Sequence, residues 1–298
     1  MVDVTLLICT RNRGVSLERT LESIARAAAA APGVAIEVVV VDNGSTDDTP
    51  RRLASWRAVQ PFRVDCLCEP RPGLARARNA GLVRARGRIV AMTDDDCILH
   101  RDYFTALAAR FANAPAIAII GGRILPGDPA DLPVTIKVED HPMTLAAGEF
   151  PGGFVMGANL AFTRATLADV GPFDTRFGAG APLLAAEDTD WLFRAAGLGV
   201  PVEYDPGFTV DHHHGRRRQD EVVALLAGYS HGDGALYAKH LFRDRRVMQA
   251  LRGDLADLWR DLRPRAGLCD GIRLFYLFRL RHKIGGMLAF WRTAARRS

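Results

Sequence analysis

The stretch Val4-Thr-Leu-Leu-Ile-Cys-Thr-Arg-Asn-Arg13 decides the fold. Its first six residues are almost continuously apolar, whereas a strand with one wet face would alternate. A continuous run suits a strand covered on both faces. It stops abruptly at the polar cluster Thr10-Arg11-Asn12-Arg13. Residues 36–41 and 89–93 repeat the design and end in Asp42-Asn43-Gly44-Ser45 and Asp94-Asp95-Asp96. Between the first two runs, Leu17, Leu21, Ile24 and Ala28 fall at helical spacing behind a Ser16 N-cap, with Pro32 and Gly33 closing the helix. Asp47 and Asp48 favour a second helix start, Leu53 and Trp56 continue its apolar stripe, residues 64–68 read as a strand and 73–85 as a helix. This alternation predicts an α/β fold with a mostly parallel sheet and helices on both faces. Ligands of such sheets bind at the carboxyl ends of the strands. Three polar clusters at three strand ends therefore define one crevice.

Downstream, residues 121–157 are rich in Gly, Pro and Asp without a clear period and are expected to be connecting loops. A strand over 159–163, a short helix, a helix opened by Glu187-Asp188-Thr189-Asp190, and a strand around Val202 follow. His212-His213-His214 ends a β-like run, and alternation puts His212 and His214 on one face.

Composition sets the boundaries. The 298 residues are 48% hydrophobic and 24% charged, enough apolar content to bury a core, so disorder is excluded as the main state. No stretch reaches the roughly 18 apolar residues of a membrane-spanning helix. Asp3 and the early arginines argue against a secretory leader. Five scattered cysteines suit a reducing compartment rather than a disulfide framework, and Cys66 and Cys68 read as strand residues. Charge is uneven. From Arg243 onward fourteen Lys/Arg face five Asp, a balance of +9, which leaves −4 on the first 242 residues.

Asp94-Asp95-Asp96 carries the sharpest chemistry. Carboxylates this close repel one another, and a divalent cation makes the cluster tolerable, with hard oxygen ligands selecting magnesium or manganese. A helix N-terminus or a solvated acidic turn is the alternative. His212 likewise reads either as a metal ligand or as part of a polar loop beside Arg216.

The ordered segments 4–13, 40–45, 73–81 and 94–96, followed by Glu187-Asp188, resemble the family 2 glycosyltransferases over roughly residues 1–240. The resemblance implies the Rossmann-like GT-A fold and inverting transfer from a nucleoside-diphosphate sugar. It implies that Asp42 contacts the base or ribose of the donor, with Thr10 and Arg13 in the same pocket. Arg78 and Asn79 match a second nucleotide-contacting segment. Asp94 and Asp95 would serve the nucleotide, and Asp96 would hold Mn2+ or Mg2+, with His212 completing the metal site in some relatives. An inverting displacement needs a base opposite the leaving group. By the resemblance that base is Asp188, with Glu187 supporting it or binding acceptor. Cys9 departs from the proline that relatives often carry.

The chain is thus expected to divide into a catalytic domain over 1–240 and a basic, amphipathic helical extension over 241–298. Leu274, Phe275, Phe278, Ile284, Leu288 and Trp291, mixed with Arg and Lys, suit either an interfacial helix on an anionic leaflet or a helix docked on the catalytic domain or in a homodimer. The expected setting is the cytoplasmic face of the cell membrane, with a lipid-linked or glycan acceptor and no nucleic acid. Removal of residues from about 271 is expected to spare donor chemistry. A nucleotidyltransferase and a non-catalytic membrane adaptor are the competing classes. All the carboxylates that an adaptor would be free to lose are present.

Overall fold

The computed structural model describes residues 2–261 and 271–295. Strands β1 (Val4–Thr10), β2 (Ile36–Asp42), β3 (Arg63–Cys68) and β4 (Ile89–Asp94) lie side by side and parallel in the order β3-β2-β1-β4. The sheet continues past β4 with β8 (Asn159–Thr163), β6 (Ile119–Pro126), β9 (Val202–His212) and β5 (Cys97–Leu99), and β7 (Met143–Thr144) also pairs with β9. Strand β8 is antiparallel to both its neighbours, so β6 and β9 again run with β1, and six of the nine strands among the described residues share one direction.

Burial explains the continuous apolar runs. Leu6, Ile8, Val38 and Val40 join one core with α1 (Gly14–Ala29), α2 (Thr49–Ala58) and α4 (Tyr103–Ala112). The alternate residues Leu7, Val39 and Val41 join a second core with α3 (Leu74–Arg84), α5 (Arg164–Val170) and α6 (Glu187–Gly197). Each such side chain contributes about 1.5–3 kcal/mol by leaving water, so both faces of the sheet demand apolar residues.

Two local expectations change. Ser16 lies inside α1, its hydroxyl donating to the Arg13 carbonyl at 3.1 Å, and the helix begins at Gly14. An acceptor from outside the helix sits by that first turn: the Gly14 N–H donates to Asp47 Oδ2 at 3.4 Å, while Asp47 Oδ1 accepts from Thr49 N–H at the start of α2. The segment 121–157 is not all loop, because β6 runs on to Pro126. Gly121 and Gly122 sit in that strand where a Cβ would fall 2.3 Å from Val155 Cγ1 and 2.2 Å from Asn159 Nδ2. Close approach removed the side chains that would have signalled a strand.

Helices α7 (Gln219–His240), α8 (Arg245–Asp261) and α9 (Phe275–Ala295) form a third layer, with its own core of Phe177, Leu183, Phe193, Leu236, Tyr237 and Val247 packed by Ala289 and Phe290. Helix α9 is docked on α7 almost backbone to backbone. A Cβ on Gly234 would fall 1.9 Å from the Lys283 carbonyl oxygen, and one on Gly286 1.8 Å from that of His231. The polarity of α9 is inverted: Lys283 is buried on the inner side, while Leu277, Ile284, Leu288 and Trp291 face outward, each 43–50% exposed. Helix α8 exposes Met248, Leu255 and Trp259 at the same helical spacing. Among the described residues no helix is long and apolar enough to cross a membrane. Arg263, Arg265, Cys269, Arg296 and Arg297 of the basic tail lie outside the described residues.

Candidate active site

A cavity of about 1170 Å³ opens at the carboxyl ends of β1 and β4. Register explains what reaches it. Cys9 pairs with Asp94, and Thr10 pairs with Asp42 one strand over, so the polar residues ending each apolar run arrive at one level. Thr10, Arg13, Arg78, Asp94, Asp95, Asp96, Glu187, Asp188 and His212 all line this space.

The three aspartates have different surroundings. Asp95 accepts a 2.6 Å hydrogen bond from the Thr10 hydroxyl, with Arg13 Nε at 3.7 Å. Burial nevertheless pushes its carboxyl up to about 6. Asp96 faces His212 Nε2 at 3.2 Å and Arg13 at 3.3 Å. Burial works against its ionisation, yet the His212 hydrogen bond and charge, with Arg13, hold it below the usual carboxylate range. Asp94 is the most accessible of the three, its side chain 35% exposed, with Arg78 at 3.7 Å.

His212 is oriented from behind. Its Nδ1 lies 3.1 Å from the Thr135 carbonyl, which fixes the ring and turns Nε2 toward Asp96. A carboxylate and an imidazole held this way, with Asp94 nearby, fit a borderline-hard divalent cation such as Mn2+. The Cys97 sulfur lies within 4.8 Å of the Asp96 and His212 ligand atoms. A soft thiol is a poor match for Mn2+ or Mg2+, so the carboxylate and the imidazole are the better donors of the three.

Arg78 joins the two acidic motifs. Its side chain is buried and donates to Glu187 Oε1 at 2.7 Å while facing Asp94. Burial and the adjacent Asp188 charge push Glu187 up to about 7 against the pull of Arg78. Asp188 accepts from the Gly157 N–H at 2.9 Å through Oδ2 and from Thr189 N–H at 2.8 Å through Oδ1. The segment that presents this pair is strained. Leu184 and Ala186 both have φ of 67°, a left-handed conformation costing on the order of 1–3 kcal/mol for a side-chain-bearing residue.

Two expected nucleotide residues sit apart from this cavity. Asp42 accepts the Ser45 N–H at 2.9 Å and lines an adjoining hollow of about 510 Å³ between α2 and β3. Asn79 clamps the backbone of Phe173, donating to its carbonyl at 2.8 Å and accepting its N–H at 2.9 Å, so its amide positions the loop leading to Glu187. Its neighbour in role is Asn43, which donates to the carbonyls of Glu69 and Arg71 and accepts from Gly73 N–H, tying the end of β2 to the start of α3.

Sequence reading missed the far wall. Tyr229, Asp233 and Tyr237 from α7, Asp254 and Asp257 from α8, and Phe275, Arg279 and Lys283 from α9 line the same cavity. The tail therefore does not stand apart from the site. The spacing of Tyr229, Asp233 and Tyr237 at i, i+4 and i+8 was the available signal.

A sequence model of glycosyl transferase family 2 matches residues 5–165. The pre-mycofactocin glycosyltransferase of Mycobacterium tuberculosis is 27% identical over 246 residues, 80% of this chain and 48% of that protein. The glucosyl-dolichyl phosphate glucuronosyltransferase of Haloferax volcanii is 27% identical, over 59% of this chain and 57% of its own. The chain thus spans about half the length of these curated relatives. Among solved structures, the mannosyltransferase PcManGT from Pyrobaculum calidifontis in complex with GDP-Man and Mn2+ superposes with a TM-score of 0.63 at 20% identity, covering 97% of this chain and 85% of that one. TarS 1-349 of S. aureus in complex with UDP-GlcNAc gives 0.55 at 15% identity, covering 98% and 92%. Both likenesses show the GT-A fold.

Proposed function

The chain belongs to glycosyl transferase family 2, and from that premise we propose that it moves a sugar from a nucleoside-diphosphate donor to an acceptor hydroxyl by an inverting displacement in glycan synthesis. The observation that carries this reading is Arg78, whose buried guanidinium holds Glu187 at 2.7 Å and Asp94 at 3.7 Å and so brings the two acidic motifs to one cavity. Donor binding falls to Thr10, Arg13, Asp94 and Asp95, with the base reaching the hollow beside Asp42. Asp96 and His212 would hold Mn2+ or Mg2+, which supplies Lewis-acid neutralisation of the departing diphosphate.

Asp188 accepts the proton of the attacking hydroxyl. The Gly157 and Thr189 N–H groups fix its carboxylate, and Arg78 balances Glu187 next to it. Asn79 holds the Phe173 backbone ahead of this pair. The outward apolar strips of α8 and α9, with Arg252, Arg281 and Arg292, suit attachment to an anionic leaflet, consistent with a lipid-linked acceptor at the inner face of the cell membrane.

The decisive test is calorimetry of nucleoside diphosphates with and without Mn2+ on the wild type and Asp96→Ala. The expected result is metal-dependent binding that the substitution removes, together with release of nucleoside diphosphate from a hydrolysed donor. Metal-dependent affinity unchanged in a folded variant would overturn the assignment of Asp96. Release of nucleoside monophosphate and sugar phosphate would favour phosphoryl chemistry instead.

A further inference from the structure

The wall opposite the carboxylate motifs is polar in a way that packing does not require. Lys283 Nζ lies 2.6 and 2.7 Å from the two oxygens of Asp254 and 3.0 Å from the Tyr237 hydroxyl, with its side chain 3% exposed. Burying such a pair costs desolvation that apolar residues of similar volume avoid, so these charges are a poor device for stability alone. All three ammonium donors of Lys283 are spent on these partners. Asp233 is different. Among the described residues no hydrogen bond reaches its carboxylate, and its ion partner Arg279 stands at 3.6 Å. Burial raises its carboxyl against the pull of Lys283 and Arg279, with Asp254 and Asp188 adding to the rise, and Asp233 and Asp188 line the same cavity.

We propose that Asp233, flanked by Tyr229 and Tyr237 and framed by Arg279, Asp254 and Lys283, binds a neutral, hydroxyl-rich pyranose ring of the acceptor. The inference rests on the reading of the cavity as a transfer site. Its first support is position: Asp233 lines the cavity that holds Asp188, on the opposite wall. The second is the chemistry of the donor and acceptor set. A carboxylate with free lone pairs accepts two hydroxyl hydrogens at once, which matches a vicinal diol. Tyr229, one turn before Asp233 on α7 and 43% exposed, offers an aromatic body and a polar tip to a ring that has both apolar and hydroxylated faces, while Tyr237, one turn after it, is buried and bonded to Lys283 and so backs the site rather than facing the sugar. The third is charge. Along the whole cavity eight carboxyl side chains stand against six Arg and Lys, Arg216 beside Tyr229 included, and Lys283 is saturated, so a negatively charged sugar is disfavoured.

The test is saturation-transfer NMR on the full chain with methyl β-D-glucopyranoside, methyl α-D-mannopyranoside and methyl β-D-glucuronoside, each with and without a nucleoside diphosphate and Mg2+. The expected result is binding of at least one neutral glycoside and at least roughly tenfold weaker binding of the uronoside. Asp233→Asn should weaken the neutral glycoside roughly tenfold, as loss of a hydrogen bond to a charged group does. Tyr229→Leu, at a partly exposed position, should weaken it as well without threatening the fold. Nucleoside-diphosphate affinity, followed in parallel by calorimetry, should be the same in both variants and the wild type. The proposal is overturned if neither neutral glycoside binds, if both variants bind like the wild type, or if the uronoside binds as tightly. Failure of the nucleotide itself to bind would sink the donor reading, and the glycoside titrations without nucleotide would still decide this one.

Discussion

The two walls of the cavity obey different rules. On one side the sheet delivers its polar residues by register: the apolar runs of β1 and β4 end at the same level, and Thr10 and Asp94 reach the cavity there because the two strands are parallel and aligned, while Asp42 at the end of β2 opens on the hollow beside it. On the other side three helices deliver Asp233, Asp254, Arg279 and Lys283 from positions separated by loops and by one reversal of polarity. In the sheet, apolar means inside and the end of apolarity means the site. In α9 the relation inverts, because its inner side faces a polar cavity and its outer side carries Leu277, Ile284, Leu288 and Trp291.

The largest effect should come from the sheet-proximal motifs. Asp188→Asn keeps the shape of the side chain and removes its basicity, so transfer should fall by about 10²–10⁴ while nucleoside-diphosphate binding persists. Single-turnover transfer beside equilibrium binding measures both, and transfer near the wild-type rate would move the base to Glu187. A comparable loss from a site far from these carboxylates would sharpen the contrast. Gly286→Leu forces a side chain into the space occupied by the His231 carbonyl and should separate α9 from α7. Overpacking of this kind costs typically 1–3 kcal/mol, read as a lower Tm, and transfer to acceptor should fall with it. Wild-type Tm and transfer in this variant would break the comparison, since α9 would then be an appendage.

A third prediction concerns the outer strip. Ile284→Glu with Leu288→Glu should weaken sedimentation with vesicles rich in phosphatidylserine, with a further loss at high salt from the screened arginines, each worth on the order of 1 kcal/mol near the surface. Tm should hardly move, because both side chains are about half exposed. Equal sedimentation of variant and wild type would remove the membrane from the reading.

The smallest effect is on pH dependence. Burial pushes the Glu187 carboxyl up to about 7 from an ordinary 4.5. Between those values the folded state binds more protons than the unfolded chain, so the contribution of Glu187 is whole below about 4.5 and is lost as pH rises toward 7, by at most about 1.4 kcal/mol per pH unit. Glu187→Gln should flatten that decline when Tm is followed from pH 4.5 to 7.5 without metal. An unchanged slope would place the proton elsewhere, with Asp95 the next candidate.

Legibility followed the same division. The strand–helix alternation and the carboxylate cluster could be read because period, burial and chain ends agree. The Gly121-Gly122 strand could not, because its neighbours leave no room for the side chains that mark a strand. Ser16 carries the residue type of an N-cap, yet the helix starts earlier, beside an acceptor supplied across the chain by Asp47. Asn79 has the chemistry of a ligand contact, and only the fold shows that its amide is engaged by the Phe173 backbone. The α7 stripe of Tyr229, Asp233 and Tyr237 was visible in the spacing. Nothing local distinguished it from a solvated face, since the partner that encloses it lies some fifty residues further on.

The contact at Gly234 and Gly286 also bears on how such enzymes can be recombined. Where helices meet through interlocking side chains, one partner can be replaced and the other repacked. Here the two backbones approach without side chains between them, so neither helix tolerates a foreign mate unless that mate brings its own glycine at the crossing. The heritable unit is then the pair, α7 with α9, and whatever recognition or attachment these helices supply must travel together when the tail is grafted onto another catalytic sheet.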